Sequence, residues 1–382
     1  MNANRGPAEL PVPEPQALAA SRALLERIGA ELSAAGNWIS FARYMELVLH
    51  EPGLGYYAGG ARKLGAGGDF VTAPELSPLF GRALARQVAE LLQPGDAVLE
   101  FGAGSGALAE VLIEELPGVK YQILETSSEL SNRQQQRLGA RAQWIDHLPQ
   151  KFRGVMIANE VVDAMPVHAV TWTPAGLMER GVCANEGQLA WAEKAADRSL
   201  VENSREINIE IPPSGRYESE LALFARAWMR SLGRLLERGA LLVIDYGFPG
   251  REYFHPQRSM GTLACHYRHR VHGDPFYLPG LQDVTAHVDF SALARAAREA
   301  GMDVLGYADQ ARFLVNCGIT ELLAGENPSD PKRYLPAAAA VQKLLSPSEM
   351  GELFKVLAVG KGVAGPLLGF SQGDRSQALG QS

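Results

Sequence analysis

The segment VLEFGAGSG, residues 98–106, restricts the fold of this chain more than any other feature of the sequence. An apolar run at 97–99 ends in Glu100, and a stretch with helical spacing follows at 107–116. Glycines occupy every second position between them, at Gly102, Gly104 and Gly106. Since glycine lacks a Cβ atom, a ligand can contact the main chain of such a turn, and the helix N-terminus offers unpaired N–H groups. The pattern predicts a buried strand, a glycine turn and a helix that bind a nucleotide-like ligand.

Acidic residues at two strand ends narrow the choice of ligand. The glycine spacing by itself also satisfies the G-x-G-x-x-G/A fingerprint of dinucleotide-binding proteins. Glu100, directly before the turn, favours S-adenosylmethionine (SAM) over NAD, because a carboxylate can meet the cationic methionine end of SAM and would repel a pyrophosphate. Glu125, at the end of the next expected strand, lies where a carboxylate binds ribose hydroxyls, and it fits either cofactor. The predicted SAM-binding residues are therefore Glu100, Gly102, Gly104, Gly106 and Glu125, with an ordinary glycine-rich turn as the alternative.

The composition limits the class of protein. A chain of 382 residues can bury a large core in one or two domains, and 46% hydrophobic and 21% charged residues are typical of globular proteins. The net charge of −7 argues against a general nucleic-acid binder. No stretch approaches the ~20 uncharged apolar residues that span a bilayer. The 3 cysteines are scattered and form no CxxC, so we expect a reducing compartment and no metal site.

Strands and helices alternate along most of the chain, which predicts an α/β fold with a mostly parallel sheet covered on both faces. We expect strands at 97–101, 121–125, 142–145, 154–158, 240–247, 302–307 and 354–362. We expect helices at 17–35, 41–50, 79–92, 107–116, 128–139, 217–238, 290–300, 311–324 and 335–345. The predicted organisation begins with a disordered tail (1–16) and a helical and glycine-loop region (17–92). A main domain (93–365) follows, with one insertion at 167–215, which forms a β-meander, and another at 248–289. Residues 371–382 are expected to form a second disordered tail.

The segment GVMIANEVVDAMPVH, 154–168, is the second informative feature. A buried strand ends in Asn159 and Glu160, and Asp163 follows three residues later. On a helical turn these two carboxylates share a face, so they can converge at the carboxyl edge of the sheet, where ligands of such sheets bind. Together they can hold a guanidinium through two charge-assisted hydrogen bonds. The alternative is structural, with Asp163 as a helix cap and Asn159 as a turn former.

Two further segments contain candidate site residues. In GDFVTAPE, 68–75, Asp69 and Thr72 can line the cofactor site or cap the next helix. In DVTAHVDF, 283–290, a strand would place Asp283, Thr285, His287 and Asp289 on one face, and His287 is a candidate general base. The alternative for this run is a solvated edge strand.

Seven motifs, in order, resemble the MidA-type SAM-dependent methyltransferases. They are GLGYY, GDFVTAPE, VLEFGAGSG, NEVVDAMPVH, LLVIDYG, GTLACHYRH and DVTAHVDF, and the resemblance covers about residues 35–362. It implies a class I methyltransferase fold with a Rossmann-like sheet, SAM bound by Gly102, Gly104 and Glu125, and an acceptor pocket lined by NEVVDA, with Asn159 beside the cofactor. The mitochondrial members of that family are complex I assembly factors that methylate an arginine of a core subunit.

The expected function is therefore a SAM-dependent protein arginine N-methyltransferase, with Glu160 and Asp163 orienting the acceptor. By the resemblance its partner is a respiratory complex I subunit, and a homodimer is left open. A small-molecule O- or N-methyltransferase with His287 as base, a SAM-binding assembly chaperone and an NAD-dependent oxidoreductase are the alternatives. Residues 1–16 contain one arginine and two glutamates, unlike a mitochondrial targeting segment, so we expect a cytoplasmic bacterial member without nucleic-acid partners or membrane insertion.

Overall fold

The computed structural model describes residues 10–59 and 72–380. The strands are β1 Ile39–Ser40, β2 Ala97–Phe101, β3 Lys120–Leu124, β4 Gln143–Ile145, β5 Phe152–Asn159, β6 His168–Thr173, β7 Gly176–Asn185, β8 Gln188–Ala195, β9 Tyr217–Leu221, β10 Leu236–Phe248, β11 Ala264–Tyr267, β12 Arg270–His272, β13 Asp283–Thr285, β14 Val288–Asp289, β15 Asp303–Asp309 and β16 Phe354–Lys361. The helices are α1 Pro15–Ala34, α2 Phe41–His50, α3 Ala73–Leu76, α4 Pro78–Leu91, α5 Ala107–Glu115, α6 Ser128–Leu138, α7 Arg198–Ser204, α8 Leu223–Leu235, α9 Gly250–Tyr253, α10 Phe290–Glu299, α11 Gln310–Asn316, α12 Ile319–Ala324 and α13 Pro331–Leu345.

The central sheet has the strand order β15-β16-β10-β5-β2-β3-β4, and β14 adds to the end of β10. Adjacent strands from β10 to β4 are parallel, whereas β16 runs antiparallel to both of its neighbours. In chain order, β3 and β4 add to one side of β2, and β5 then pairs with the other side of β2. The strand order therefore reverses beside β2, and a crevice at such a reversal is the usual ligand site of an open α/β sheet.

Alternate residues of the central strands are buried on opposite faces of this sheet. In β5, Val155 and Ile157 join the core on one face, while Met156 and Ala158 join the core on the other. Both faces are covered by helices, so these strands are continuous apolar runs rather than alternating apolar and polar ones. This explains why the central strands were readily predicted from the sequence.

A second, antiparallel sheet has the order β1-β7-β6-β9, with β8 paired to β7, and a small antiparallel sheet has the order β12-β11-β13. Their apolar residues share one core with the N-terminal helices: Ile28 and Phe41 belong to the same buried cluster as Val182 and Val284. The N-terminal region and both insertions thus pack together over the carboxyl edge of the central sheet, where Ala286 N–H donates to Asp163 O at 3.0 Å.

Two expected helices differ from the structure. The helix expected at 217–238 begins only at Leu223, because the preceding residues form β9 and continue the second sheet past residue 215. The helix expected at 311–324 is divided into α11 and α12 at Gly318, which has a φ of +79°. Such a left-handed residue cannot continue an α-helix.

The C-terminal segment also differs from its expected disorder. Asp374 Oδ1 accepts a hydrogen bond from Tyr307 N at 3.0 Å, and Arg375 N donates to Tyr307 O at 2.7 Å. Leu379 is buried in the core behind β15. Residues 371–380 therefore cover the edge strand of the central sheet, while 381–382 and 1–9 lie outside the described residues. In the described residues no helix combines the length and the apolar character needed to cross a membrane.

Candidate active site

A cavity of about 860 Å³, including space open to solvent, lies at the carboxyl ends of β2, β3 and β5. Predicted site residues that line it are Thr72, Glu100, Gly102, Gly104, Glu125, Asn159 and Glu160. Of the other described candidates, Gly106, Asp163 and His287 are not part of its lining. Asp69 lies outside the described residues.

The glycine turn between β2 and α5 forms one wall of this cavity. Gly102 and Gly104 both have a φ of +56°, in the left-handed region that side chains with a Cβ rarely adopt. Gly102 N donates to Leu124 O at 3.0 Å, which fixes the turn against the end of β3. Gly106, with a φ of +79°, lies at the N-terminus of α5 instead. The turn therefore presents main chain to the cavity, as the sequence predicts.

Gln134, which was not predicted, connects the two cofactor motifs. Its Nε2 donates to Gly104 O at 3.0 Å and to Glu125 Oε2 at 2.9 Å, and its Oε1 accepts from Trp144 Nε1 at 2.9 Å. Glu125 Oε1 accepts from Ser127 N at 2.9 Å. These hydrogen bonds fix the carboxylate of Glu125 in the cavity wall. Gln134 lies four residues from both Leu130 and Leu138, which places it on the buried face of α6. This spacing is the sequence signal that could have identified it.

Glu100 is 3% exposed at the end of β2. Tyr121 Oη donates to its Oε2 at 2.6 Å. Burial raises the pKa of Glu100 to about 7, and the tyrosine hydrogen bond opposes that rise. A cation in the cavity would favour the ionised form of this carboxylate.

Glu160 follows β5 in a left-handed conformation, with a φ of +54°. The expected helical turn from Glu160 to Asp163 is therefore wrong. Glu160 N donates to Ile244 O at 2.9 Å, and Glu160 Oε1 accepts from Asn159 Nδ2 at 3.2 Å and from Ala73 N at 3.3 Å. Burial, and then the neighbouring Asp245, raise the pKa of Glu160 to about 8.

Asp245, at the end of β10, holds the turn that carries these carboxylates. Its Oδ2 accepts from Val162 N at 2.9 Å and from Asp163 N at 3.2 Å, and its Oδ1 accepts from Tyr246 N at 2.8 Å. Asp245 is fully buried, and burial raises its pKa to about 7 despite these hydrogen bonds. The contacts of Asp245 are those of a residue that anchors a turn.

Asp163 is partly exposed beside the cavity. Burial raises its pKa well above the ordinary value, and Asp245, Asp283 and Glu160 add to that rise. Glu160 and Asp163 therefore interact electrostatically, although backbone contacts to β10 bring them together instead of a helical turn. No described Lys or Arg forms an ion pair with either carboxylate, and the described residues contain no cluster of metal-ligating side chains.

The run at 283–290 does not form the single strand that was expected. β13 ends at Thr285 and β14 begins at Val288, so its polar residues have different surroundings. Asp283 accepts from Tyr57 Oη at 2.9 Å, whereas Asp289 Oδ1 accepts from Ala292 N at 3.0 Å and caps α10. His287 packs edge-on against Phe248, with ring centroids 5.2 Å apart. Burial lowers the pKa of His287 to about 4. His287 does not line the cavity, so the structure gives no support to its role as a base.

The N-terminal region contributes cavity residues that were not predicted. His50 and Tyr57 line the cavity, beside Pro74 and Glu75 of GDFVTAPE, the segment that the sequence indicated as a wall of the cofactor site. Glu75 forms a short hydrogen bond with Ser105 of the glycine turn. Thr72 precedes α3 without a side-chain cap hydrogen bond. His50 and Tyr57 approach through tertiary packing, so no local sequence pattern identified them.

Comparison with known proteins agrees with this geometry. A family model described as "Putative S-adenosyl-L-methionine-dependent methyltransferase" matches residues 79–308. A solved structure from Burkholderia thailandensis, bound to S-adenosyl-homocysteine, is 50% identical, with a TM-score of 0.92 and coverage of 97% of this chain and 100% of that chain.

Curated relatives extend the similarity to eukaryotes. "Protein arginine methyltransferase NDUFAF7, mitochondrial" from Danio rerio is 28% identical, over 89% of this chain and 87% of the relative. The protein of that name from Mus musculus is 29% identical, over 84% of this chain and 80% of the relative. The glycine turn and the carboxylates of Glu100 and Glu125 fit a nucleoside with a cationic end. This chain belongs to that family of SAM-dependent methyltransferases, and SAM is its cofactor.

Proposed function

We propose that this enzyme methylates an arginine side chain of a partner protein. The observation that carries the proposal is the carboxylate pair of Glu160 and Asp163. Both side chains are partly exposed at the carboxyl edge of the sheet, Glu160 in the wall of the cofactor cavity and Asp163 beside it.

The electrostatics of this pair favour a cationic acceptor. The pKa values of both groups are raised by burial and by neighbouring carboxylates. A guanidinium would favour the ionised forms and replace carboxylate repulsion with charge-assisted hydrogen bonds. An anionic acceptor would add to the repulsion.

When bound, SAM supplies a methyl group on a positively charged sulfur, which keeps the bonding electron pair and leaves as a neutral thioether. The residues of the chain act on the acceptor. Two carboxylates can orient the planar guanidinium and localise its charge on one nitrogen, so that another nitrogen forms the new N–C bond. That nitrogen then loses one proton, which the ionised carboxylate of Glu160 can accept.

The relatives support a protein acceptor, because those from fish and mouse are named protein arginine methyltransferases. We further propose a respiratory complex I subunit as partner, following the family resemblance, and a cytoplasmic location. The three cysteines are free thiols, which agrees with a reducing compartment.

Labelled SAM and a lysate of the host provide the test. The expected result is a labelled protein band whose acid hydrolysate contains methylarginine. Label confined to small molecules would instead support the small-molecule alternative. SAM binding without turnover would contradict the proposal and support the assembly chaperone.

A further inference from the structure

Tyr57 is an aromatic residue of the cavity wall that the proposed chemistry has not used. It is partly exposed and borders the cavity. The His50 ring stacks on it, with centroids 5.6 Å apart and planes 19° apart, and Tyr56 packs edge-on at 5.1 Å. The Tyr57 ring therefore packs against two aromatic neighbours and still forms part of the cavity wall.

A hydrogen bond anchors the far end of this ring. Tyr57 Oη donates to Asp283 Oδ2 at 2.9 Å. Asp283 is 3% exposed and begins β13, whose next residue, Val284, belongs to the core shared with the N-terminal helices. At its other end, Tyr57 N donates to Leu49 O at 2.8 Å. Both ends of the residue are thus attached to rigid elements.

The electrostatic surroundings place Tyr57 at the acceptor end of the cavity. Burial raises the pKa of its hydroxyl well above the ordinary value, and the carboxylates that add to this rise include Asp283 and Asp163. The ring therefore lies near Asp163, one of the two carboxylates that we assign to the acceptor.

We propose that Tyr57 is a specificity-determining residue of the acceptor site, and that its ring, anchored through Asp283, forms the wall on which a planar guanidinium packs. The inference rests on the proposed arginine acceptor. A guanidinium is planar and weakly hydrated and stacks on aromatic rings, whereas an ammonium is compact and strongly hydrated. Carboxylates alone attract either cation, so the ring accounts for selection of arginine over lysine.

Adenosine thioethers that carry a propyl chain on sulfur test this inference by calorimetric titration. One probe ends in a guanidine and its partner in a primary amine, with S-adenosyl-homocysteine as the cofactor-site reference. Wild-type protein should bind the guanidine probe at least about tenfold more tightly than the amine probe. In Tyr57→Leu this ratio should fall to about twofold, with affinity for S-adenosyl-homocysteine retained.

Two variants separate the ring from its anchor and from general effects on folding. Tyr57→Phe keeps the ring and should retain most of the selectivity. Tyr253→Phe is the matched control, because Tyr253 Oη likewise donates to a buried carboxylate, that of Glu220 at 2.9 Å, and neither residue lines the cavity. It should keep the full wild-type ratio.

The outcomes distinguish this inference from the proposed function. If wild-type protein binds both probes equally, the arginine acceptor itself is wrong. If wild-type protein is selective and Tyr57→Leu is equally selective, the inference about Tyr57 is wrong and the arginine acceptor stands. The inference about Tyr57 would also be wrong if Tyr57→Leu lost affinity for SAM and kept its affinity for S-adenosyl-homocysteine, because the ring would then contact the sulfonium.

Discussion

At the scale of single residues, the site depends on carboxylates that the fold keeps close together in spite of their repulsion. Asp245 accepts three backbone hydrogen bonds and holds the turn, whereas Glu160 and Asp163 face the site. Because the backbone is held by Asp245 and β10, either acceptor-site carboxylate can be replaced by its amide with little effect on the turn.

We expect Glu160→Gln and Asp163→Asn each to lower methyl transfer by about two orders of magnitude, equivalent to ~3 kcal/mol of lost transition-state stabilisation. SAM affinity should be nearly unchanged, because the cofactor residues on β2 and β3 remain. Single-turnover rates and calorimetric titration measure the two effects. Glu299→Gln, at the end of α10, serves as a control with wild-type activity, and wild-type rates in both amide variants would contradict the role of the pair.

The raised pKa of Glu160 predicts a dependence of stability on pH. Its pKa is about 8 in the folded protein and 4.5 as the ordinary value. Between these pH values the folded state therefore binds more protons than the unfolded state. The stabilising contribution of Glu160 is fully present below pH 4.5 and is lost as the pH rises through 8. Glu160→Gln should melt at a higher temperature than wild-type protein above pH 8. A variant with a lower melting temperature there would show that the ionised carboxylate is stabilised by the fold.

At the scale of elements, the glycine turn requires glycine for two reasons, its left-handed backbone conformation and the contact of its main chain with the ligand. Gly104 has a φ of +56°, and its main chain lines the cavity. In Gly104→Ala the left-handed conformation should cost about 1–2 kcal/mol of folding free energy. The added methyl group should also weaken SAM binding at least about tenfold, because it occupies the surface that the ligand contacts.

A matched glycine separates these two effects. Gly118 has a φ of +82°, and a Cβ there would meet no atom within 4 Å. Gly118→Ala should therefore lower the melting temperature similarly while leaving SAM affinity unchanged. Normal SAM binding by Gly104→Ala would show that the turn is structural only.

At the scale of the whole molecule, the C-terminal segment closes the edge of the central sheet. Leu379 is 3% exposed and packs in the core on that side. Leu379→Ala should lower the free energy of unfolding by about 2–5 kcal/mol, because it leaves a cavity in a packed core. Thermal melting measures this loss, and the exposed Gln377→Ala should melt like wild-type protein. Equal melting temperatures for the two variants would mean that the segment does not stabilise the fold.

Local sequence patterns predicted those parts of the site that come from single strand ends and turns. The central strands are apolar on both faces, and Glu100, Gly102, Gly104, Glu125 and Glu160 are found around the cavity because strand ends and turns are set by neighbouring residues. The expected disorder was wrong for residues 371–380, because a polar sequence does not reveal that Asp374 bonds to a distant strand or that Leu379 packs in the core.

The amino-acid sequence by itself determined the class of fold, the cofactor and the acidic residues at the strand ends around the cavity, because glycine turns and strand ends are local features. Only the tertiary structure decided which side chains complete that site. Tyr57 comes from the N-terminal region, Asp245 from β10 and Asp283 from an insertion, so contacts across more than 200 residues of chain, such as Tyr57 to Asp283, bring them together. The packing of a shared core determines such contacts, and no spacing along the chain encodes them.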